Sequence, residues 1–212
     1  MSGPGDTADG VKAKGRYHHG DLREALLTAS YELVAQQGAE NFLLADACRR
    51  AGVSTAAPYK HFRDRDEILE IVVARAFDEL ADRSTAAVAA NGAGTIDGIM
   101  AMGEAYVQFA IDEQRLFRLM FGQRPAIKNA EQVVDDGQRC FAGVIEQVAH
   151  YCNANGVPGD PRAIAIRLWT FVHGAASLLI DEDYSKVAPD LDVMAMIRET
   201  TPLMLTPLDR RT

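Results

Sequence analysis

The twelve residues AGVSTAAPYKHF, from Ala51 to Phe62, constrain the fold of this chain more than any other stretch. Gly52 follows the apolar and basic run Leu43–Ala51, and a residue without a Cβ supplies the positive φ of a sharp turn. Ser54 suits the N-cap of a new helix, because its hydroxyl can accept an orphan backbone N–H. That helix, 55–61, opens on the small residues Thr55, Ala56 and Ala57, so its N-terminal end can approach another surface closely. Tyr59, Lys60 and His61 follow on its outer face, each able to hydrogen-bond a phosphate, and Phe62 points back to a core. Pro58 forfeits the first intrahelical hydrogen bond, so the helix is expected to begin as a looser turn. Two short helices joined by a tight glycine turn form a helix-turn-helix, whose second helix enters a DNA major groove.

The flanking sequence is helical in period. Apolar residues recur at Leu22, Ala25, Leu26, Ala29, Leu33 and Val34, giving a first helix over 21–37 that Gly38 ends. A second helix covers 44–51. Asp64 suits the N-cap of a long fourth helix over 65–89, with Ile68, Leu69, Val72, Val73, Ala76, Phe77 and Leu80 on one side. The breaker AANGAG at 89–94 precedes a fifth helix over 95–111 and a sixth over 115–121. A seventh is expected over 127–153, an eighth from the Asp160-Pro161 start to Ile180, and a ninth over 190–201 that Pro202 ends or kinks. No segment alternates with period two, so the fold is all-α, with about nine helices.

Tyr17–Leu69 resembles the N-terminal domain of the TetR family of bacterial transcription regulators, in which an apolar first helix is followed by A-G-V-S and a Tyr-x-His-Phe ending. Trp169-Thr-Phe-Val-His173-Gly174 is similar to the Trp…His-Gly signature of one C-terminal subgroup, and YHHGDLREALL and STAAPYKHF fit that subgroup. The chain departs from the pattern at Leu43, where a Ser or Thr cap is usual, and at Ala45, commonly basic or polar. The resemblance implies that Thr55, Ala56, Tyr59, Lys60 and His61 face DNA. Residues 55–57 lie nearest the base edges, Tyr59, Lys60 and His61 lie on phosphates, and the Ser54 cap belongs to the same DNA-binding face. Arg65, where the family usually has Lys, is a phosphate clamp. The implied division is an arm over 1–16, a helix-turn-helix domain over 17–64 and an effector-binding and dimerisation domain over 65–212.

Charge divides the same way. The whole chain is −8, yet residues 11–65 carry nine Lys or Arg against six Asp or Glu. One end is suited to phosphates and the other stays off them. Lys12, Lys14, Arg16, His18 and His19 form a basic arm before the first helix, which reads either as a solvated tail or as a segment that orders along DNA.

Met100, Met102, Tyr106, Phe109, Phe117, Met120 and Phe121 concentrate adaptable apolar side chains in one stretch, fit for lining a cavity or for an ordinary core. Trp169 and His173 are one turn apart and share a helix face. His173 is either a core histidine or a polar anchor in a pocket. The family places an effector pocket between the fourth, fifth, seventh and eighth helices, and Phe141, Trp169 and His173 complete its expected lining. The eighth helix is apolar almost all round and rich in small residues, so it needs cover on two sides. A homodimer through the eighth and ninth helices supplies it, as in the family.

Residues 1–10 are polar and no run reaches eighteen apolar residues, which points to a cytoplasmic protein with no membrane partner. Cys48, Cys140 and Cys152 lack metal-ligand spacing. No metal or cofactor is implied. No H-E-x-x-H, nucleophile elbow or phosphate-binding glycine loop occurs, so a small all-α enzyme is disfavoured. Two readings remain: a one-component repressor released from double-stranded operator DNA by a small apolar ligand, and a DNA-binding adaptor without such an effector.

Overall fold

Ten α-helices and one 3₁₀ turn account for the regular structure among the described residues, and no strand occurs there. The structure, a computed structural model, describes residues 19–122 and 124–205. Helix α1 (His19–Gln37) buries Leu26, Leu27, Leu33 and Val34 along one face, with the Ser30 hydroxyl donating to the Leu26 carbonyl at 2.8 Å. Helix α2 (Leu44–Arg50) crosses it, braced by the Arg50 guanidinium on the Gln36 side chain at 2.8 Å. Gly52 then takes φ 69°, a conformation that costs a Cβ-bearing residue about 1 kcal/mol or more.

Helix α3 (Arg65–Asn91) is the spine of the molecule. The Asp64 carboxylate accepts from the Glu67 N–H at 2.9 Å, and the Glu67 carboxylate accepts from the Arg63 N–H at 2.6 Å. Such reciprocal capping fixes where a helix begins and contributes about 1 kcal/mol. Gly92–Thr95 turns the chain into α4 (Ile96–Asp112), which packs back along α3. Helices α5 (Gln114–Phe121), α6 (Pro125–Lys128), α7 (Glu131–Asn155), α8 (Pro161–Ile180), α9 (Asp183–Val187) and α10 (Val193–Met204) complete the fold. The Asp160 carboxylate caps α8 through the Arg162 N–H at 2.9 Å.

Three boundaries differ from the sequence expectation. The seventh helix is split into α6 and α7, because Ala130 is extended at φ −62°, ψ 130°. The acidic turn after Ile180 closes into the short α9. Pro202 does not end α10, which carries it one turn from the terminus, where few intrahelical bonds remain to be lost. With the segment 55–61 forming a 3₁₀ turn in place of an α-helix, the split and the added α9 make ten helices where about nine were expected.

One core cluster runs from Leu26 in α1 through Phe77, Phe109 and Leu116 to Ile197 in α10, so helix-turn-helix and larger bundle share continuous packing. A second cluster, around Val88, Ile99, Val148, Ile164 and Leu205, fills the far end of α3. By length and composition α8 is apolar enough to cross a membrane. Its Ile164, Leu168, Val172, Ala176 and Ile180 are instead buried within the fold, where α8 packs on α4 and α7.

Candidate DNA-binding face and ligand cavity

The segment expected to be a helix over 55–61 is a turn followed by a single 3₁₀ turn, Pro58–Lys60. Proline supplies the reason. Pro58 has no N–H to give the Ser54 carbonyl, which takes the Ala57 N–H at 3.0 Å in a tight i to i+3 bond. The N–H groups of His61 and Phe62 then both donate to the Pro58 carbonyl, at 2.8 and 2.9 Å. No side chain caps the 3₁₀ turn, so Ser54 acts through its carbonyl rather than as the hydroxyl cap expected.

The face this turn presents is nonetheless exposed. Tyr59 is 70% exposed, and Ser54, Thr55, Ala56 and Lys60 are exposed beside it. Ala57 and His61 are half-buried, while Pro58 and Phe62 anchor the turn in the core. Phe62 is covered by the Arg23 guanidinium at 5.2 Å.

Arg65, expected as a phosphate clamp, makes contacts within the chain. Its Nε–H donates to the Phe42 carbonyl at 3.1 Å, its Nη2 donates to the Ala39 carbonyl, and its guanidinium lies 5.7 Å from the Phe42 ring. The cation is spent on the loop between α1 and α2 and ties that loop to the start of α3. Of the basic arm, Lys12, Lys14, Arg16 and His18 lie outside the described residues, and His19 is the first residue of α1.

A cavity of about 430 Å³ lies between α3, α4, α7 and α8, a size that accepts a drug-sized molecule. Helix α3 lines it with Phe77, Leu80 and Ser84; α4 with Ile99, Met102, Gly103 and Tyr106; α5 with Met120 and Phe121. Helix α7 adds Val133, Val134, Gly137, Gln138, Cys140, Phe141 and Val144, and α8 adds Leu168, Trp169 and Val172. Lys128 of α6 and Thr201 of α10 complete the wall. Gly137 is needed for the close approach of α7, because a Cβ there would meet the Phe77 ring at 3.3 Å.

Five of the eight expected pocket residues therefore meet the cavity: Met102, Tyr106, Phe121, Phe141 and Trp169. Phe109, Phe117 and His173 do not line it. Phe109 is fully buried beneath the Arg83 guanidinium, 5.3 Å from its ring. Phe117 and His173 stack on one another at 5.5 Å and stand behind Tyr106. The Trp169 Nε1–H points to the Tyr106 hydroxyl at 3.4 Å, and that hydroxyl lies 2.8 Å from His173 Nδ1. With Tyr106 accepting from Trp169, its own proton goes to Nδ1, leaving the His173 proton on Nε2. Burial lowers the His173 pKa and keeps the ring neutral. Burial also raises that of Tyr106 and, reinforced by Asp78, pushes the Cys140 thiol up to about 11. These groups are uncharged at neutral pH. Among the described residues no cluster of His, Cys, Asp and Glu is arranged to hold a metal.

Two features were not anticipated. Lys128 reaches the cavity from a four-residue helix with no apolar period to announce it. Arg83 joins three elements: it donates to Glu79 at 2.6 Å and to Asp112 at 2.8 Å and lies 3.8 Å from Glu113. Glu79 in turn accepts from the Tyr31 hydroxyl of α1.

On the outer side of α8 and α10, Ile166, Thr170 and Leu203 line a shallow groove, and nothing approaches the position of a Cβ at Gly174.

Two family models match the sequence. One, bacterial regulatory proteins of the tetR family, covers residues 26–72, and the other, the tetracyclin repressor-like C-terminal domain, covers residues 99–199. A solved protein of unknown function from Rhodococcus sp. RHA1 is 30% identical, with a TM-score of 0.76 over 91% of this chain and 97% of its own. A transcriptional regulator of the TetR/AcrR family from Thermobifida fusca YX-ER1 shares the fold at 19% identity and a TM-score of 0.61, covering 90% of this chain and 100% of its own. No curated protein matches the sequence.

Proposed function

The chain belongs to the TetR family of bacterial regulatory proteins, and from that premise we propose that it is a one-component transcriptional repressor. In this reading it binds a pseudo-palindromic operator as a homodimer and leaves it when a small, largely apolar molecule fills the cavity. DNA contact falls to Ser54, Thr55, Ala56, Ala57, Tyr59, Lys60 and His61, with residues 55–57 nearest the bases. The observation that carries the reading is α3. One unbroken helix lines the cavity with Phe77, Leu80 and Ser84 and begins at Asp64-Arg65, directly behind the exposed turn. A shift of its cavity segment therefore moves the helix start that follows the exposed turn, together with the α1–α2 loop that Arg65 ties to it.

A ligand that weakens operator binding must itself bind less tightly to the DNA-bound protein. A tenfold release asks for only about 1.4 kcal/mol of differential affinity. The test is footprinting on the DNA beside this protein's own gene, followed by titration of apolar ligands against the complex. Two symmetric half-sites about one helical turn apart, roughly 34–36 Å or more, with ligand-dependent release, are expected. Protection of one asymmetric half-site would overturn the dimeric reading, and an operator complex indifferent to every ligand that fills the cavity would overturn the effector.

A further inference from the structure

Among the described residues Lys128 is the one charged side chain that lines the cavity. It is exposed, on the last turn of α6, and makes no ion pair or hydrogen bond there. Val134 and Gln138 are exposed beside it on α7, so this is where the cavity meets solvent. The interior offers nothing comparable. The Tyr106 hydroxyl is engaged by Trp169 and His173, the hydroxyls of Ser84 and Thr201 and the Cys140 thiol carry no charge, and most of the remaining wall is apolar, with Phe77, Leu80, Met102, Phe121 and Phe141.

We propose that the effector is an amphipathic monoanion, an apolar chain or ring bearing one carboxylate, whose head pairs with Lys128 at the mouth while its body fills the cavity. This rests on the cavity being the effector site. Electrostatics orients such a molecule. The unpaired ammonium attracts its head to the mouth. A cationic ligand would meet Lys128 on entry, and a neutral one would leave the ammonium in water and gain nothing from it. Because the head stays in solvent, the ion pair adds modest affinity and falls off with salt, and the apolar body supplies most of the binding.

Decanoate and nonan-1-ol carry the same nine-carbon alkyl chain with and without the charge. Titration of each into the full chain at neutral pH, read by fluorescence of Trp169, the sole tryptophan, reports directly from the cavity wall. Decanoate is expected to bind more tightly than the alcohol. Lys128→Met is expected to cost it about two- to fivefold, the range of an exposed ion pair, and to leave nonan-1-ol unchanged. Lys128 is exposed, so the variant keeps the fold. Equal affinity for the two probes, or a preference for decanoate that survives Lys128→Met, overturns the anionic head group and leaves the cavity as effector site. Failure of both probes to bind overturns this inference together with the effector reading.

Discussion

Lys60 and Arg65 stand in the sequence as two cations at one turn, and the structure gives them different surroundings. Lys60 is exposed and makes no ion pair among the described residues, so it is free for a phosphate. Lys60→Ala is expected to weaken binding to every DNA sequence and to lower the salt slope by about one per subunit, with thermal stability unchanged. Arg65→Ala removes the donors to Phe42 and Ala39 and is expected to cost about 1–3 kcal/mol of stability in a denaturant titration. An Arg65→Ala protein of full stability but lower salt slope would restore Arg65 as a phosphate clamp. His173 answers to pH. Its unfolded imidazole takes a proton near 6.5, whereas burial holds the folded value lower. The unfolded state therefore binds more protons as pH falls. The contribution to stability is complete above about 6.5 and is lost as pH drops through the folded value. His173→Gln is expected to lose less stability than the wild type between about pH 7.5 and pH 5.5. Identical acid losses in both proteins would assign the effect to other groups.

Between elements, the Arg83 cluster is one polar link from the helix-turn-helix to the bundle, beside the Arg75–Glu24 pair. It joins Tyr31 of α1, through Glu79, to Asp112 and Glu113 at the joint of α4 and α5, beside the Phe109 ring. Arg83→Met strands Glu79 and Asp112 and is expected to cost about 1–2 kcal/mol, discounted because the pairs are partly solvated. Its cavity should bind decanoate as before, while the ligand loses part of its power to release operator DNA. Unchanged release would mean that coupling runs through the apolar contacts of α3 alone. Neither this cluster nor the Arg65 staple was legible in the sequence, because each depends on residues far apart in the chain meeting at one point. Helices α1, α3, α4 and α8 were legible, since their apolar period and caps are local. The Pro58 turn was half legible: the missing N–H was evident, but not that the whole segment would tighten to a 3₁₀ turn. Phe109 and Phe121 share the same sequence signal, and only packing decides that Phe109 lies under Arg83 while Phe121 borders a void.

For the whole molecule, the apolar outer face of α8 and α10 is the surface through which the proposed dimer would form. Ile166 is 43% exposed and Leu203 73% exposed, on a surface that also presents Thr170 and the open flank of Gly174. Two copies facing each other through α8 and α10 would bury this surface in a four-helix bundle. Small residues such as Gly174 let the backbones approach, and about 25 cal/mol is gained per Å² of apolar area covered. A stable pair requires about 1,200–2,000 Å² in total, an area that two long helices per subunit can supply. The double substitution Ile166→Glu with Leu203→Glu places like charges across that interface and leaves the cavity wall untouched. The variant is expected to sediment as a monomer, to keep its helical circular dichroism and to lose operator affinity far more than twofold, since each turn would then bind its half-site alone. Its melting temperature should no longer rise with protein concentration, as that of the wild type should. A folded variant that remained dimeric would place the interface elsewhere. A monomeric one with full operator affinity would remove the need for two-fold symmetry in DNA recognition.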